Sequence, residues 1–479
     1  MIHLSVEEIA RDTGASLVQA GTRDVAGDVV IDSRAVGEDG LFVAFAGERV
    51  DGNAYLAQAA RSGAAAVVAS SEVPAEALAA AAEAGCAVLR AEGDDCEEFL
   101  LRLARRWRER HPEWLVVGVT GSVGKTTTKE MLAAGIGSQR RTHATAGNYN
   151  NLIGLPLTVL AAPEDSEILV CELGMNHFHE IERMAACCAP TLACITNVGT
   201  SHIGLLGSRE NIARAKAEIV SGMRANGGVE PMLALMGSGD FTPFIANGYA
   251  IPAGVDVMLV GASEGDAVRA EGVTLNAEGC ATATLVCSDG WRRTITLSVP
   301  GRKSVDDLLL ALAVIWRLGL DRDAAVEAIE RMPAAHMRLD VQVSPKGVRV
   351  IDDSYNAAPA SMASSLDVLS SMDCEGRRIA VLGEIGELGD EAPRLHGYVG
   401  AYAAAKGVDL LVLVGGELAD EMAEAARTMG LSEDAIERFE TVERAVEVMG
   451  PVLSAGDVVL VKASRASGLD AFVRGVLAS

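Results

Sequence analysis

Aromatic residues are scarce in this sequence, at 4%, so its interior must be filled by Ala, Val and Leu rather than by stacked rings. Positive charge is short as well: 41 Lys and Arg face 66 Asp and Glu, a formal net charge of −25. That balance argues against a nucleic-acid partner, because phosphate-backbone binding depends on Lys and Arg releasing counterions. Any anionic substrate must meet basic groups gathered locally. The nine cysteines contain no C-x-x-C pair, and Cys187 and Cys188 are adjacent, a poor arrangement for a disulfide framework or a zinc site. Reduced core thiols of a cytoplasmic protein are expected. Charges interrupt every long apolar run, so no membrane span is expected. Residues Met1 to Glu8 lack the basic-then-apolar profile of a secretion signal. No repeat of solenoid period is present.

What is there is ordinary soluble-protein material, 49% hydrophobic and 22% charged over 479 residues, enough for about three domains. The first stretch alternates strand-like runs (29–34, 41–45, 66–68) with an Ala-rich helix near 54–62. A helix around 97–110, with Arg102, Arg105, Arg106 and Arg108 on its polar positions, ends at His111-Pro112, since the residue before proline is pushed away from helix. From Trp114 the pattern is strand, Gly-rich turn, helix, followed by buried strands at 168–171 and 192–195, the opening of a parallel nucleotide-binding sheet. Short β-like runs between about 256 and 299 suggest an antiparallel appendage, and an apolar helix over 305–318 closes the unit. After Met332-Pro333, four buried strand patterns (348–351, 379–382, 410–413, 458–461) predict a doubly wound, Rossmann-like sheet. The expected fold class is therefore α/β with three domains, 1–112, 113–333 and 334–479, the central one resembling a P-loop ATPase.

Gly121-Ser122-Val123-Gly124-Lys125-Thr126 lies between a strand and a helix. Backbone N–H groups and the helix dipole can cradle phosphate there, while Lys125 reaches the β/γ oxygens and Thr126 ligates Mg²⁺. The general motif requires glycine where this chain has Val119. Glu172 ends one buried strand and His202 follows the next, the positions at which open α/β sheets place ligands. A carboxylate and an imidazole there can hold a divalent metal beside the phosphates.

The variant loop Thr120 to Glu130 resembles that of the Mur ligase family, and further strings carry the resemblance along the chain. They are Gly147-Asn148-Tyr149-Asn150-Asn151, Glu172-Leu173-Gly174-Met175-Asn176-His177, Ile195 to His202, Asp352-Asp353-Ser354-Tyr355-Asn356-Ala357, Leu382 to Gly389, and Lys462-Ala463-Ser464-Arg465. The third-domain strings are similar to the branch that adds D-alanyl-D-alanine. The resemblance implies ATP-dependent amide formation on a UDP-N-acetylmuramoyl-tripeptide through an acyl phosphate, giving the pentapeptide precursor of peptidoglycan, with ATP and two Mg²⁺. It implies catalytic roles for Lys125, His202 and Lys216, and nucleotide contacts from Gly121 to Thr127 together with Arg338 (phosphate) and Asp353 (ribose). Metal ligation falls to Thr126, Glu172, His202 and Lys216, the last carbamylated as in many relatives, although taken alone Lys216 reads as a solvated lysine. Ser33, Arg34 and the stretch Gly47 to Gly52 would take the UDP end, Asn148 and Asn151 the precursor in the cleft, and Asn356, Ser464 and Arg465 the dipeptide, whose carboxylate suits a guanidinium fork. The third domain must swing in to complete such a site. A monomer is expected.

Some positions depart from the family pattern. Where relatives read roughly G-x-H-N-V-x-N, this chain has Gly301-Arg302-Lys303-Ser304-Val305-Asp306-Asp307, so the His and Asn residues associated with adenine are absent, and Asn53 replaces a frequent His. Two other readings stand beside the first: a sister ligase adding a single amino acid, whose usual D-Y-A-H-x-P and D-N-P-R strings are missing here, and a Mur-like protein that binds without ligating.

Overall fold

Runs of uninterrupted apolar residues such as Leu115-Val116-Val117-Gly118-Val119 can only be sheltered in a parallel sheet covered by helices on both faces, and that is where the chain puts them. In the computed structural model, which describes residues 1–47 and 50–478, the central sheet has nine strands. Their order is Arg292–Pro300, Cys280–Cys287, Val268–Leu275, Asp256–Gly261, Met232–Met236, Leu192–Ile195, Leu115–Thr120, Ile168–Glu172 and Thr142–Ala144. Pairing is parallel from Val268–Leu275 to the Thr142–Ala144 edge and antiparallel only at the two strands on the opposite side. The expected antiparallel appendage is thus corrected in part. Asp256–Gly261 joins the parallel part, and the antiparallel strands prolong the same sheet, because the alternating burial of Arg292–Pro300 leaves one apolar face that neighbouring helices must cover. Helices Ser304–Arg317 and Arg322–Glu330 both pack on helix Lys125–Gly137, which follows the Gly-rich turn.

A smaller five-stranded sheet precedes this one, with Ser16–Gln19 antiparallel to Ala87–Arg90 and then Ala66–Ala69, Leu41–Val43 and Val29–Val30 in parallel. A six-stranded sheet follows, ordered Asp340–Val343, Arg349–Asp352, Val458–Lys462, Arg378–Gly383, Leu410–Val414 and Ile436–Phe439, parallel except at its first strand. The chain is therefore α/β throughout, with three sheets in series. Among the described residues no helix is long and apolar enough to cross a membrane, and all nine cysteines are free, eight of them buried.

The three sheets do not share the interior equally. A single apolar cluster runs from the first sheet into the central one: Leu100, Leu103 and Trp107 of helix Cys96–Glu109 join Trp114, Leu155 and Leu160 with no gap. The third sheet packs around its own two clusters, one on each face, and the central unit meets them at separate points: Ile203 lies against one of them, where Gly279 also comes up to Met372 and Gly301 to Val368. Arg108 corrects the expectation for its helix. Arg102, Arg105 and Arg106 do lie outward in ion pairs, but Arg108 is buried in the seam, reaching the Trp114 carbonyl at 3.5 Å. Burial depresses its pKa.

Candidate active site

In the central sheet, strand Leu115–Thr120 lies between Leu192–Ile195 and Ile168–Glu172. Successive connections leave it in opposite directions, and an open α/β sheet forms its ligand crevice at such a point. The Gly-rich turn emerges there. Its walls are supplied by the segment after Ile195: Ser122 N–H donates to the Asn197 carbonyl at 3.0 Å, Val123 N–H to Asn197 Oδ1 at 3.1 Å, and Gly199 N–H to Ser122 Oγ at 2.9 Å. With those donors spent on holding the turn, the N–H groups of Lys125, Thr126 and Thr127, which have no acceptor within the helix, remain for an anion. Gly124 sits at φ +90°, and a Cβ there would lie 2.3 Å from Asp307 Oδ1, so no larger residue fits. Val119, the departure from the general motif, is inside the strand and takes no part in the turn.

Lys125 folds back over the turn, its Nζ donating to the Gly121 carbonyl at 2.9 Å. Burial lowers its pKa, Glu172 opposes this, and Arg338 of the third sheet adds to it. Glu172, at the end of its strand and 1% exposed, has both oxygens engaged: Thr126 Oγ1 donates to one at 2.9 Å and Asn150 Nδ2 to the other at 2.7 Å. The Glu172 N–H donates in turn to Thr145 Oγ1 at 3.0 Å. Lys216 is 2% exposed and not the solvated lysine its letter suggests. Burial drives its pKa well below the usual 10.5, with Lys125 as the second cause.

Thr126 and Glu172 present hard oxygen donors side by side. Mg²⁺ commonly takes one or two protein oxygens and completes its shell with water and phosphate. Among the described residues no three His, Cys, Asp or Glu side chains converge into a self-contained metal cage, and the donors that are present fit a cation accompanying a nucleotide. His202 follows the wall segment, whose Ser201 Oγ reaches the Ser122 carbonyl at 3.4 Å. Its Nδ1 lies 2.5 Å from Glu387 Oε2 of the third sheet, outside hydrogen-bonding direction. Nε2 is then the nitrogen left for a ligand.

Of the other third-sheet residues, Arg338 stacks on Tyr355 with its guanidinium carbon 4.2 Å from the ring centre, and Arg465 lies 5.8 Å from the same ring. Asp353, expected to face ribose, has its carboxylate turned into its own domain: Oδ2 accepts from Lys462 Nζ and Ser365 Oγ at 2.6 Å each, and Oδ1 from the Leu339 N–H at 3.3 Å. Lys462 also donates to the Asn356 carbonyl at 3.0 Å. The Asn356 side chain is exposed and accepts from the Ala357 N–H, and Ser464 Oγ meets Ser467 Oγ at 3.1 Å.

The outlying candidates are less organised. Ser33 is buried in a short turn and Arg34 projects outward beside Asp32, whose carboxyl it holds at about 2. Neither touches the phosphate loop. Glu48 and Arg49, inside the Gly47 to Gly52 stretch, lie outside the described residues. Asn53 is buried and braces its turn against Ser70. Asn148 is exposed, and Asn151 accepts from the N–H groups of Ile153 and Gly154 at the start of the next helix. It is Asn150, not singled out from the sequence, that enters the site. Asp307 was also missed as a neighbour of the loop: it accepts from Thr128 Oγ1 at 3.2 Å, and burial first, then Asp306, push its pKa well up. Lys303 pairs with Asp306, and Ser304 Oγ donates to the Pro300 carbonyl.

Residues 28–108 match the profile of the Mur ligase family catalytic domain, 119–315 that of the Mur ligase middle domain, and 337–465 that of the Mur ligase glutamate ligase domain. A UDP-N-acetylmuramoyl-tripeptide--D-alanyl-D-alanine ligase of Bacillus subtilis is 33% identical over 480 residues, spanning 100% of this chain and 99% of its own. The chain belongs to the Mur ligase family. A solved structure of MurF from Acinetobacter baumannii superimposes with a TM-score of 0.86 at 27% identity over 100% of both chains. MurF ligase from Thermotoga maritima, in complex with ADP, superimposes at 0.79 with 26% identity over 95% of this chain and 98% of that one. The three sheets described above are thus the Mur ligase fold.

Proposed function

We propose that this Mur ligase joins D-alanyl-D-alanine to UDP-N-acetylmuramoyl-tripeptide at the expense of ATP. The observation that carries the reading is the meeting of Lys125 and the Thr126–Glu172 pair at one phosphate loop, in a chain similar over its whole length to ligases named for that reaction. The terminal carboxylate of the tripeptide takes the γ-phosphoryl group of ATP, releasing ADP. The amine of D-alanyl-D-alanine then attacks the acyl phosphate, the C–O bond to phosphate breaks as the C–N bond forms, and the amine loses a proton. Such transfers gain most from positioning and charge neutralisation.

In this reading the backbone N–H groups of the loop helix and Lys125 hold the ATP phosphates, and Arg338 adds a second cation from the opposite side. Thr126, Glu172 and His202 Nε2 would hold Mg²⁺, which supplies neutralisation of the phosphoryl oxygens when bound. Lys216, buried and with its pKa lowered, suits carbamylation, which would add a further anionic ligand. The first domain, with Ser33 and Arg34, takes the UDP end, Asn148 and Asn151 line the cleft, and the segment Ser464-Arg465 with Asn356 takes the dipeptide.

Phosphate release and pentapeptide formation by the purified protein, with each substrate omitted in turn and Lys125→Ala as control, test this. Release dependent on both acceptor and dipeptide, lost in the variant, is expected. Turnover with a single amino acid in place of the dipeptide would move the chain to a sister activity, and no turnover with any acceptor would overturn the reading.

A further inference from the structure

Two residues that meet across the boundary between the central and third sheets share an uncommon backbone. His202 has φ +64° and Glu387 φ +63°, the left-handed region that residues with a Cβ rarely occupy and that clusters at functional sites. Their side chains approach to 2.5 Å. The Gly204 N–H donates to the Glu387 carbonyl at 3.0 Å, and a Cβ on Gly204 would lie 2.4 Å from the Gly389 nitrogen, so the two backbones are in direct contact.

The turn carrying Glu387 is anchored from behind. Buried His396 accepts from the Ile385 N–H at 2.9 Å through Nε2 and donates from Nδ1 to the Ala392 carbonyl at 2.7 Å. At its other end, the Glu384 carbonyl accepts from the Ser464 N–H at 3.1 Å and Ser467 Oγ at 3.4 Å. One short turn therefore joins the Ser464 segment to the imidazole beside the phosphate loop.

We propose that Glu387 is a positioning residue: reaching from the third domain, it fixes the His202 ring, so that the central site is correctly set only when the third domain is docked. This rests on the ligase reading above. Paired at 2.5 Å with one imidazole nitrogen, the carboxylate limits the turning of the ring and thereby orients the other nitrogen. The fit of glycine to glycine sets the docked distance, and the His396 anchor keeps the turn from yielding. Because the same turn holds Ser464, occupation of that segment bears on the His202 ring.

The test uses the full-length protein and the variants Glu387→Gln, Glu387→Ala and Gly204→Ala. Hydrogen exchange at the Gly204 amide, read without nucleotide, reports docking, and steady-state kinetics report function. For Glu387→Gln the expectation is unchanged Gly204 protection, since that bond uses the main chain, with kcat reduced roughly 10–100-fold and KM for ATP within about twofold. For Gly204→Ala, faster exchange across 387–389 and a larger radius of gyration in solution scattering are expected. Kinetics of both Glu387 variants within about twofold of the parent, or loss of Gly204 protection in Glu387→Gln, would overturn the proposal. A parent protein that makes no pentapeptide refutes the ligase reading instead, and the exchange data still report whether the domains dock.

Discussion

Thr126 donates its hydroxyl to Glu172 across 2.9 Å, so the first turn of the loop helix and the end of the neighbouring strand are joined by a single hydrogen bond between the two protein oxygens best placed for a cation. Glu172→Gln offers one acceptor where Thr126 and Asn150 present two donors. A fall in pentapeptide formation of about a hundredfold or more is expected, with a stability loss of about 1–3 kcal/mol from the unpaired donor. Product assay and urea denaturation of the same preparation measure both.

The Lys462–Asp353 pair is buried on both sides, at 2% and 8% residue exposure. Removing one partner strands the other, so Lys462→Met is expected to destabilise the third domain by roughly 3–5 kcal/mol. Adding Asp353→Asn should recover much of that loss. Urea midpoints of the two single variants and the double variant give the coupling.

His396 is fully buried and accepts the Ile385 N–H, and burial lowers its pKa below the usual 6.5. The unfolded chain therefore binds the proton more readily, and stability falls as pH drops from 6.5 towards the lowered value. His396→Gln should be less stable at neutral pH and should show less of this acid sensitivity. Melting temperatures between pH 7.5 and 5 are the readout.

Asp307 gives the opposite sign. Its pKa is raised, with burial the leading cause, so the folded state holds the proton above 3.8 and stability declines as pH rises through the raised value. Asp307→Asn keeps an acceptor for Thr128 and cannot ionise. Its melting temperature should gain on the parent's as pH rises above 3.8, and an unchanged difference would contradict this assignment.

The phosphate loop could be read from the sequence because turn, helix start and lysine are contiguous, and the strand positions of Glu172 and His202 followed from runs of apolar residues. What escaped depended on direction. Asn148, Asn150 and Asn151 are almost adjacent, and only the path of the chain decides that Asn150 reaches Glu172 while Asn151 caps a helix. Lys216 reads as a surface lysine until the sheet and its helices enclose it. The ribose role of Asp353 is implied by the family resemblance alone, and nothing in the sequence tells that Lys462, on a neighbouring strand, pairs with its carboxylate. Glu387 stood in a quoted string without a role, since its partner lies in another domain.

The continuous apolar cluster linking Trp107 to Trp114 and Leu155 has a mechanical consequence. The first two sheets are welded and the third is jointed, so the molecule should behave as two bodies in spite of its three sheets. A slow calorimetric scan should then resolve into two cooperative absorptions of heat, the larger belonging to the welded pair. A fragment cut at His111-Pro112 would carry a raw apolar face on either side of the cut and should precipitate, whereas one cut near Met332-Pro333 should stay in solution.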